Sequence, residues 1–466
     1  MSRINTNIGA LQALHALSNN QNELATHLNR LATGLRITRG SDAPAALIAS
    51  ENLRSEIAGI NQAIDNASRA GNVVNTAEGA LGEVSNLLLQ IQSLTNQAAN
   101  SGALSTSEIE ANQLQVDAIL NSVGRVADTT QFNGVKLLNG SLDYTTSGIT
   151  NSSIANTQIN SASLPQGANV QVAVQVTASA KFGEVDFSGA TLGAAPTTIE
   201  VTGNLGTQQL SFAASASVSA VAFAINQIKG VTGVSATASA AGVRLTTTGF
   251  GSDQFVSVKT IAGTFIDGRN TGSDVKVNID GQQADTKGLR AQVRSNNLDI
   301  TLSLTKEFAQ QTTVSKSFFI TGGGAKFQVG SEVNSVSQVN IGITSLAVTK
   351  LGTLADGFLA SLGSGGPNSL VGGNIQQAQV VLNNAIRQVA ELRGRLGAFQ
   401  KDVLETNVNS LHVALENVTA SASIIRDADF AAETSALTRS QVLVQANTSV
   451  LSQANATPQS VLKLLQ

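Results

Sequence analysis

The sequence predicts an α+β multidomain fold. Long coiled-coil-like helical arms come from both termini, and the middle forms one or more β-rich domains. Three observations predict it. Residues 1–140 and about 375–466 are rich in Ala, Leu, Asn, Gln and Ser and almost without Pro. Their apolar residues recur at helical steps of three and four. The middle is rich in Gly, Thr, Val and Phe, and there apolar residues alternate with polar ones.

The first arm carries Ile4, Ile8, Leu11 and Leu14, then Leu24, Leu28, Leu31 and Leu35 at steps of 4,3,4. A linker follows in "GLRITRGSDAPAALIASENLRSEI". Pro44 stands where a new helix begins, with Asp42 or Ala43 at its cap. Arg30, Arg36 and Arg39 cluster there as a solvated hinge, a subunit contact or an anion site. The next helix carries Ile57, Ile60, Ile64 and Ala67, then Val74, Ala77, Leu81, Val84, Leu88 and Ile91, which draw one apolar stripe. A shorter helix starts in "STSEIEANQLQVDAILNSV", where Ser105 and Glu108 have capping-box spacing.

The pattern then changes period. "VQVAVQV" (170–176), "VKVNI" (275–279) and "ITLSLT" (300–305) alternate, as strands with one buried face do. Asp280–Gly281 in "NIDGQQ" is a hairpin signal. Twelve of the 15 Phe lie between 182 and 358, so this region should hold conventional cores and fold by itself. Residues 197–250 read as a unit: strands "TIEVTG" and "QQLSFA", a helix with Val218, Val221, Ile225 and Ile228 capped by Ser217, then strands "VSATAS" and "VRLTTT". "LGSGGPNSLVGGN" (362–374) lacks the Gly-Lys-Ser/Thr of a phosphate loop and is expected to be a flexible connection.

The second arm has Ala385, Val389, Leu392, Leu396, Phe399 and Val403 at steps of 4,3,4,3,4. After a shift of register, Val408, Leu411, Leu415, Val418, Ala422 and Ile425 continue at 3,4,3,4,3. Such near-heptad stripes want helical partners, either within one subunit or from other copies. The outermost segments differ from the rest. Ordering them costs more conformational entropy than their few large apolar side chains return, and pairing the two would still leave apolar surface bare. They are expected to be disordered in a lone molecule and to fold against other copies.

Composition excludes several classes. A net charge of -3 over 466 residues gives no reason to expect nucleic acid or an anionic membrane as partner. There is no Cys, hence no disulfide or thiolate site. The start, "MSRINTNIGALQALHALSNNQ", does not read as a cleavable signal, and no apolar run reaches the ~18 residues of a membrane span. The three His, His15, His27 and His412, all lie in the arms, where His15 and His27 are expected on helix surfaces. No zinc-hydrolase motif and no catalytic triad is available, so neither enzyme activity, nor a metal, nor a cofactor is expected. Asp427 and Asp429 fit a cap or a subunit contact.

The residues "RLATGLRI", "NASRAG", "AEGALGEV" and "TTQFNGVKLLNG" resemble the N-terminal region of bacterial flagellin. The run "DADFAAETSALTRSQVLVQANTSVLSQANATPQSVLKLLQ" is similar to its C-terminal region, and "GGGAKFQVGSEVNSVSQVNIGI" resembles the chain's return to the inner domain. The resemblance covers about half the chain, and residues 197–250 resemble a small β-α-β module of flagellins and hook-filament proteins.

The resemblance implies a structural subunit that polymerises into an extracellular filament and turns as a propeller. It implies an inner-tube domain of residues 1–44 and 426–466, a helical-bundle domain of 45–185 and 316–425, and an outer domain of 186–315. Terminal helices would line the tube as nested coiled coils, with polymer-core contacts at Ile4, Ile8, Leu11, Leu14, Leu24, Leu28, Leu31, Leu437, Val444, Leu451, Leu462 and Leu465. Export would run unfolded through a type III apparatus. An export chaperone would hold Leu437, Val444, Leu451, Val461, Leu462 and Leu465. Other partners would be further copies, the filament cap and hook-associated proteins. The alternative is a hook–filament junction protein, and a trimeric adhesin would need continuous heptads that the β insertion interrupts. Outer Ser and Thr offer many positions for O-linked sugars.

Two departures from the family stand out. Arg426 occupies a position where many flagellins have Glu. Gln90, Gln92, Ser93 and Leu94 stand where receptor-activating flagellins have Arg-x-Arg-Glu-Leu, so two cations and one anion are missing, which implies weak activation of an animal Toll-like receptor.

Overall fold

The computed structural model describes residues 6–100, 102–164, 169–295, 297–354 and 356–464, the last seven of these by backbone alone. Two compact units divide the chain. One comprises Met1–Ser68, Val329–Val333 and Glu405–Gln466; the other comprises Arg69–Gln328 and Asn334–Leu404.

The first unit contains α1 (Ile8–Thr33), the start of α2 (Pro44–Ala99), α8 (Thr406–Arg426) and α9 (Phe430–Leu464). Ala43, not Asp42, takes the cap position of α2, since its carbonyl accepts from Leu47 N at 2.9 Å. Asp42 instead closes the preceding turn, its carboxylate accepting from Thr38 N and Arg39 N, both at 2.9 Å. These bonds hold its carboxyl below the usual aspartate range. The expected stripe of α8, Val408 to Ile425, is half-buried at every position.

In the second unit the rest of α2 buries Val74, Ala77, Leu81, Val84, Leu88 and Ile91, as the 3,4 spacing predicts. The helix α3 (Thr106–Thr129) starts on the full capping box of Ser105 and Glu108. Two β cores follow. The first joins a five-stranded and a four-stranded antiparallel sheet built from residues 144–178 and 276–323. Val172, Val174 and Val176 point into its core while Gln171 and Gln175 face solvent. Asp280 and Gly281 make the predicted hairpin turn, with φ of 50° and 79°.

The second β core contains α4 (Val218–Gln227), which Ser217 caps, and the short α5 (Lys229–Thr232). Residues 197–250 do not close on themselves here. The strands Thr197–Gly203 and Thr207–Phe212 join a sheet with Phe255–Ala262 and Gly268–Thr271. Val234–Ser239 and Gly242–Thr247 pair with each other, and Gly242–Thr247 pairs on its other edge with Glu184–Ser188. Residues 186–315 thus contribute to both β cores, because the strands from 276 onward belong with residues 144–178. The one-turn α6 (Lys306–Ala309), capped by Thr305, buries Phe308 in the first of these cores.

The Gly-rich segment corrects the expectation of a flexible connection. Leu359, Leu362 and Leu370 are buried, and Gln113 of α3 donates to Leu362 O at 2.9 Å while accepting from Leu370 N at 2.7 Å. Asp117 accepts from Ser364 N at 2.9 Å and from the Ser364 hydroxyl. The glycines serve close packing: a Cβ on Gly366 would lie 2.3 Å from the Ser361 carbonyl oxygen.

The helix α7 (Ile375–Ala398) buries Val389, Leu392 and Leu396, and Arg393 pairs with Glu78 of α2 at 2.8 Å. A π-turn, Phe399–Glu405, separates α7 from α8. Its wider turn holds about one extra residue, which is the physical origin of the step of five between Val403 and Val408.

Candidate functional site

The two ends of the chain meet in the first unit. α1 and α9 lie side by side and antiparallel, with Asn7 at Ala454 and His27 at Glu433. Each presents a heptad seam to the other. On α1 the covered positions are Ala10, Ala13, Leu17, Asn20, Leu24, His27 and Leu31; on α9 they are Glu433, Leu437, Ser440, Val444, Asn447, Leu451 and Ala454. Both rows step by three and four throughout, the knobs-and-holes spacing of a coiled coil. This formed pair differs from the expectation of disordered tips. The reason lies in seam residues that are small or polar and that a count of apolar residues passes over.

Polar contacts lock one end of the pair. Glu433 Oε2 lies 2.5 Å from His27 Nδ1, and Glu433 Oε1 accepts from Arg30 Nη1 at 3.1 Å. Burial pushes the Glu433 carboxyl up, but the bonds from His27 and Arg30 outweigh it and hold it below the usual glutamate range. His27 therefore belongs to the seam rather than to the helix surface expected of it, while His15 is exposed. Beyond α1 the backbones zip together: Arg36 N donates to Arg426 O at 2.8 Å, and Ala428 N to Gly34 O at 2.9 Å. Arg36 Nη2 also donates to Ile425 O at 2.6 Å, so Arg30 and Arg36 serve chain contacts. Asp429 caps α9, accepting from Ala431 N at 2.9 Å. Arg426 has Glu51 at 3.8 Å, a partner within the same unit for the unusual cation.

Away from the seam the pair leaves a row of large apolar side chains open. On α1, Ile8 is 55%, Leu11 61%, Leu14 53% and Leu28 50% exposed, and among the described residues only Ala13 is a buried apolar residue of this helix. Leu24 and Leu31 are half-buried in the seam, so the expected single stripe of Leu24, Leu28 and Leu31 is split over two faces. Leu437, Val444 and Leu451 sit on the seam side of α9. Its outward face carries Val442, Leu443 and Val450, which the sequence reading missed; the seven-residue step from Leu443 to Val450 was the available signal. Val461 and Leu462 lie in α9 without described side chains, and Ile4 and Leu465 fall outside the described residues.

The residues matched to the receptor-binding surface lie on α2. Gln90 and Ser93 are exposed, Leu94 is half-buried, and Gln92 donates to Asn383 Oδ1 at 3.4 Å. Among the described residues no helix is long and apolar enough to cross a membrane.

An α+β chain whose two ends pair through heptads and leave a bare apolar face defines a self-assembling structural subunit. Residues 4–143 match the model of the bacterial flagellin N-terminal helical region, and residues 380–465 that of the C-terminal helical region. The chain is 30% identical to the B-type flagellin of Pseudomonas aeruginosa and 30% identical to a flagellin of Salmonella typhimurium, each over 99% of both chains. The chain belongs to the bacterial flagellins and is a structural subunit of the flagellar filament. Among solved structures the chain is similar to flagellar hook associated protein-3 of Legionella pneumophila, 14% identical, TM-score 0.26, over 80% of this chain and 96% of that one.

Proposed function

We propose that the open apolar face of the α1–α9 pair packs against neighbouring copies, so that the terminal helices line the filament interior as nested coiled coils. The observation that carries this reading is the imbalance of the pair: it is zipped along one seam yet leaves Ile8, Leu11, Leu14 and Leu28 bare. A monomer gains little by exposing such a row, whereas a polymer buries it. Repeated heterologous contacts that do not close give an open filament. The polymer-core set is Ile8, Leu11, Leu14, Leu24, Leu28, Leu31, Leu437, Val444, Leu451 and Leu462, extended to Ile4 and Leu465 at the tips and joined by Leu443 and Val450.

In this reading residues 1–44 and 426–466 form the inner tube, 45–185 and 316–425 the surrounding bundle, and 186–315 the outer region. An export chaperone holds Leu437, Val444, Leu451, Val461, Leu462 and Leu465, the first three of them on the seam that α1 covers. The chain leaves through the flagellar export route. In the extracellular filament it meets other copies, hook-associated proteins and the cap. It catalyses nothing and uses no cofactor.

Deleting residues 1–40 and 427–466 tests the core of this proposal. The truncated protein is expected to stay folded in its β domains and to form no filaments under the electron microscope. Filaments of normal appearance from the truncated protein refute it.

A further inference from the structure

Pro458 lies within α9, and the helix contains no other proline. A proline has no backbone N–H, so the carbonyl four residues earlier loses its helical donor. That carbonyl belongs to Ala454. In the structure it accepts a 2.7 Å hydrogen bond from Asn7 Nδ2, at the other end of the chain. The second half of the same amide is occupied as well. Asn7 Oδ1 accepts from Ala10 N at 3.0 Å, the N-cap bond of α1. One side chain thus satisfies two backbone groups that covalent structure leaves without partners: an N–H in the first turn of α1 and a C=O made idle by Pro458.

We infer that Asn7 is a positioning residue that fixes the longitudinal register of α1 against α9. The heptad seam alone does not fix it. Ala10, Leu17, Leu24 and Leu31 recur every seven residues, as do Leu437, Val444 and Leu451, so a slip of one heptad keeps like against like. After a slip that brings Asn7 to Asn447, its amide meets a carbonyl that already has its helical donor, and the Ala454 carbonyl is orphaned. Pro458 therefore marks, at the open end of the pair, the same register that Glu433 with His27 and Arg30 marks at the other. The consequence reaches the assembly. The outward rows, Ile8, Leu11 and Leu14 on one helix and Leu443 and Val450 on the other, hold one offset that every neighbouring copy has to match.

Serine separates the two roles of Asn7. It is as good an N-cap as Asn but too short to reach Ala454. Pro458→Ala returns a helical N–H to the Ala454 carbonyl and makes the bridge redundant. The critical concentration for filament assembly is measured on the full chain for wild type, Asn7→Ser, Pro458→Ala and the double variant. Asn7→Ser is expected to raise it about fivefold or more, the equivalent of one lost hydrogen bond. In the Pro458→Ala background the same change is expected to move it less than about twofold. Equal values for all four proteins overturn the inference, as does a loss that persists undiminished beside Pro458→Ala. If Asn7→Ser does not assemble at all, rescue by Pro458→Ala supports the inference and failure to rescue overturns it. Register is read directly by spin labels at Ser18→Cys and Ser449→Cys, since the chain has no Cys of its own. Wild-type filaments are expected to give one label distance. Asn7→Ser should add a population displaced by about 10 Å, the length of one heptad; a single unshifted distance in that variant sinks the idea.

Discussion

Leu11 and Phe318 show two ways in which this chain uses apolar residues. Phe318 is 1% exposed, in a β core whose sheets close around Val172, Val174, Ile300 and Leu302. Leu11 is 61% exposed, on a helix whose other face is already covered by α9. The β cores bury what they carry. The terminal pair completes a seam in which Leu and Val alternate with small and polar residues, and it leaves a second row of large side chains outward. A pattern of hydrophobic residues therefore specifies burial, but not whether the partner is the same molecule. Only the balance between covered and bare faces reveals that.

Charging the bare row separates the two uses most strongly. Leu11→Lys combined with Leu14→Lys is expected to abolish filaments in electron micrographs and to leave the thermal transition of the β domains within about 2 °C of wild type. A shifted β-domain transition would mean that the row serves the folded monomer. The converse change is Phe318→Ala. It should cost its domain about 3–5 kcal/mol in urea unfolding, the usual cost of emptying a well-packed aromatic site. Leu11→Ala, by contrast, should move monomer stability by less than about 0.5 kcal/mol.

The sequence made some of this plain and hid the rest for definite reasons. The stripe from Val74 to Ile91 was legible because every position is a large or small apolar residue facing one way. The capping box at Ser105 and Glu108, the Ser217 cap and the Asp280–Gly281 turn were legible because local chemistry decides them. The α1–α9 seam was hidden because Asn20, His27, Glu433, Ser440 and Asn447 lie in it, and polar residues do not register in a hydrophobic count. The second β core was misjudged at its edges because strands from 184 and 255 complete sheets that the local pattern cannot assign. Open outward positions such as Leu11 looked like those of any amphipathic helix, and only the pairing geometry distinguishes them.

The Gly-rich segment sharpens the contrast between an ordered loop and a loose connection. Gly366→Ala pushes a Cβ against the Ser361 carbonyl, and that backbone has nowhere to go. Gly365 has φ of 78° and open space around it, so Gly365→Asn meets no clash and suits the left-handed conformation. The first change is expected to cost about 1–3 kcal/mol and to speed proteolysis between Leu362 and Asn374, the second to do neither. A loop that was only a tether would tolerate both alike.

The smallest expected effect concerns the anchor at Glu433. Burial works against its charge, but the bonds from His27 and Arg30 leave its carboxyl below the ordinary glutamate value of about 4.3. A folded-state pKa below the unfolded one stabilises the pair in a definite window. The contribution is complete above the ordinary glutamate value, and it is lost as the pH falls through the lowered value. Amide exchange in α1 and α9 should therefore quicken on acidification below about pH 4 by more than the general acid response of the β cores. Glu433→Gln removes the titrating group while keeping an acceptor for Arg30. Its exchange profile should flatten in that range and sit slightly above wild type at neutral pH, by the ~0.2–1 kcal/mol of an ion pair at a surface. An unchanged acid profile in Glu433→Gln would move the sensitivity elsewhere, and the seam would then rest on its heptads and on Asn7 alone.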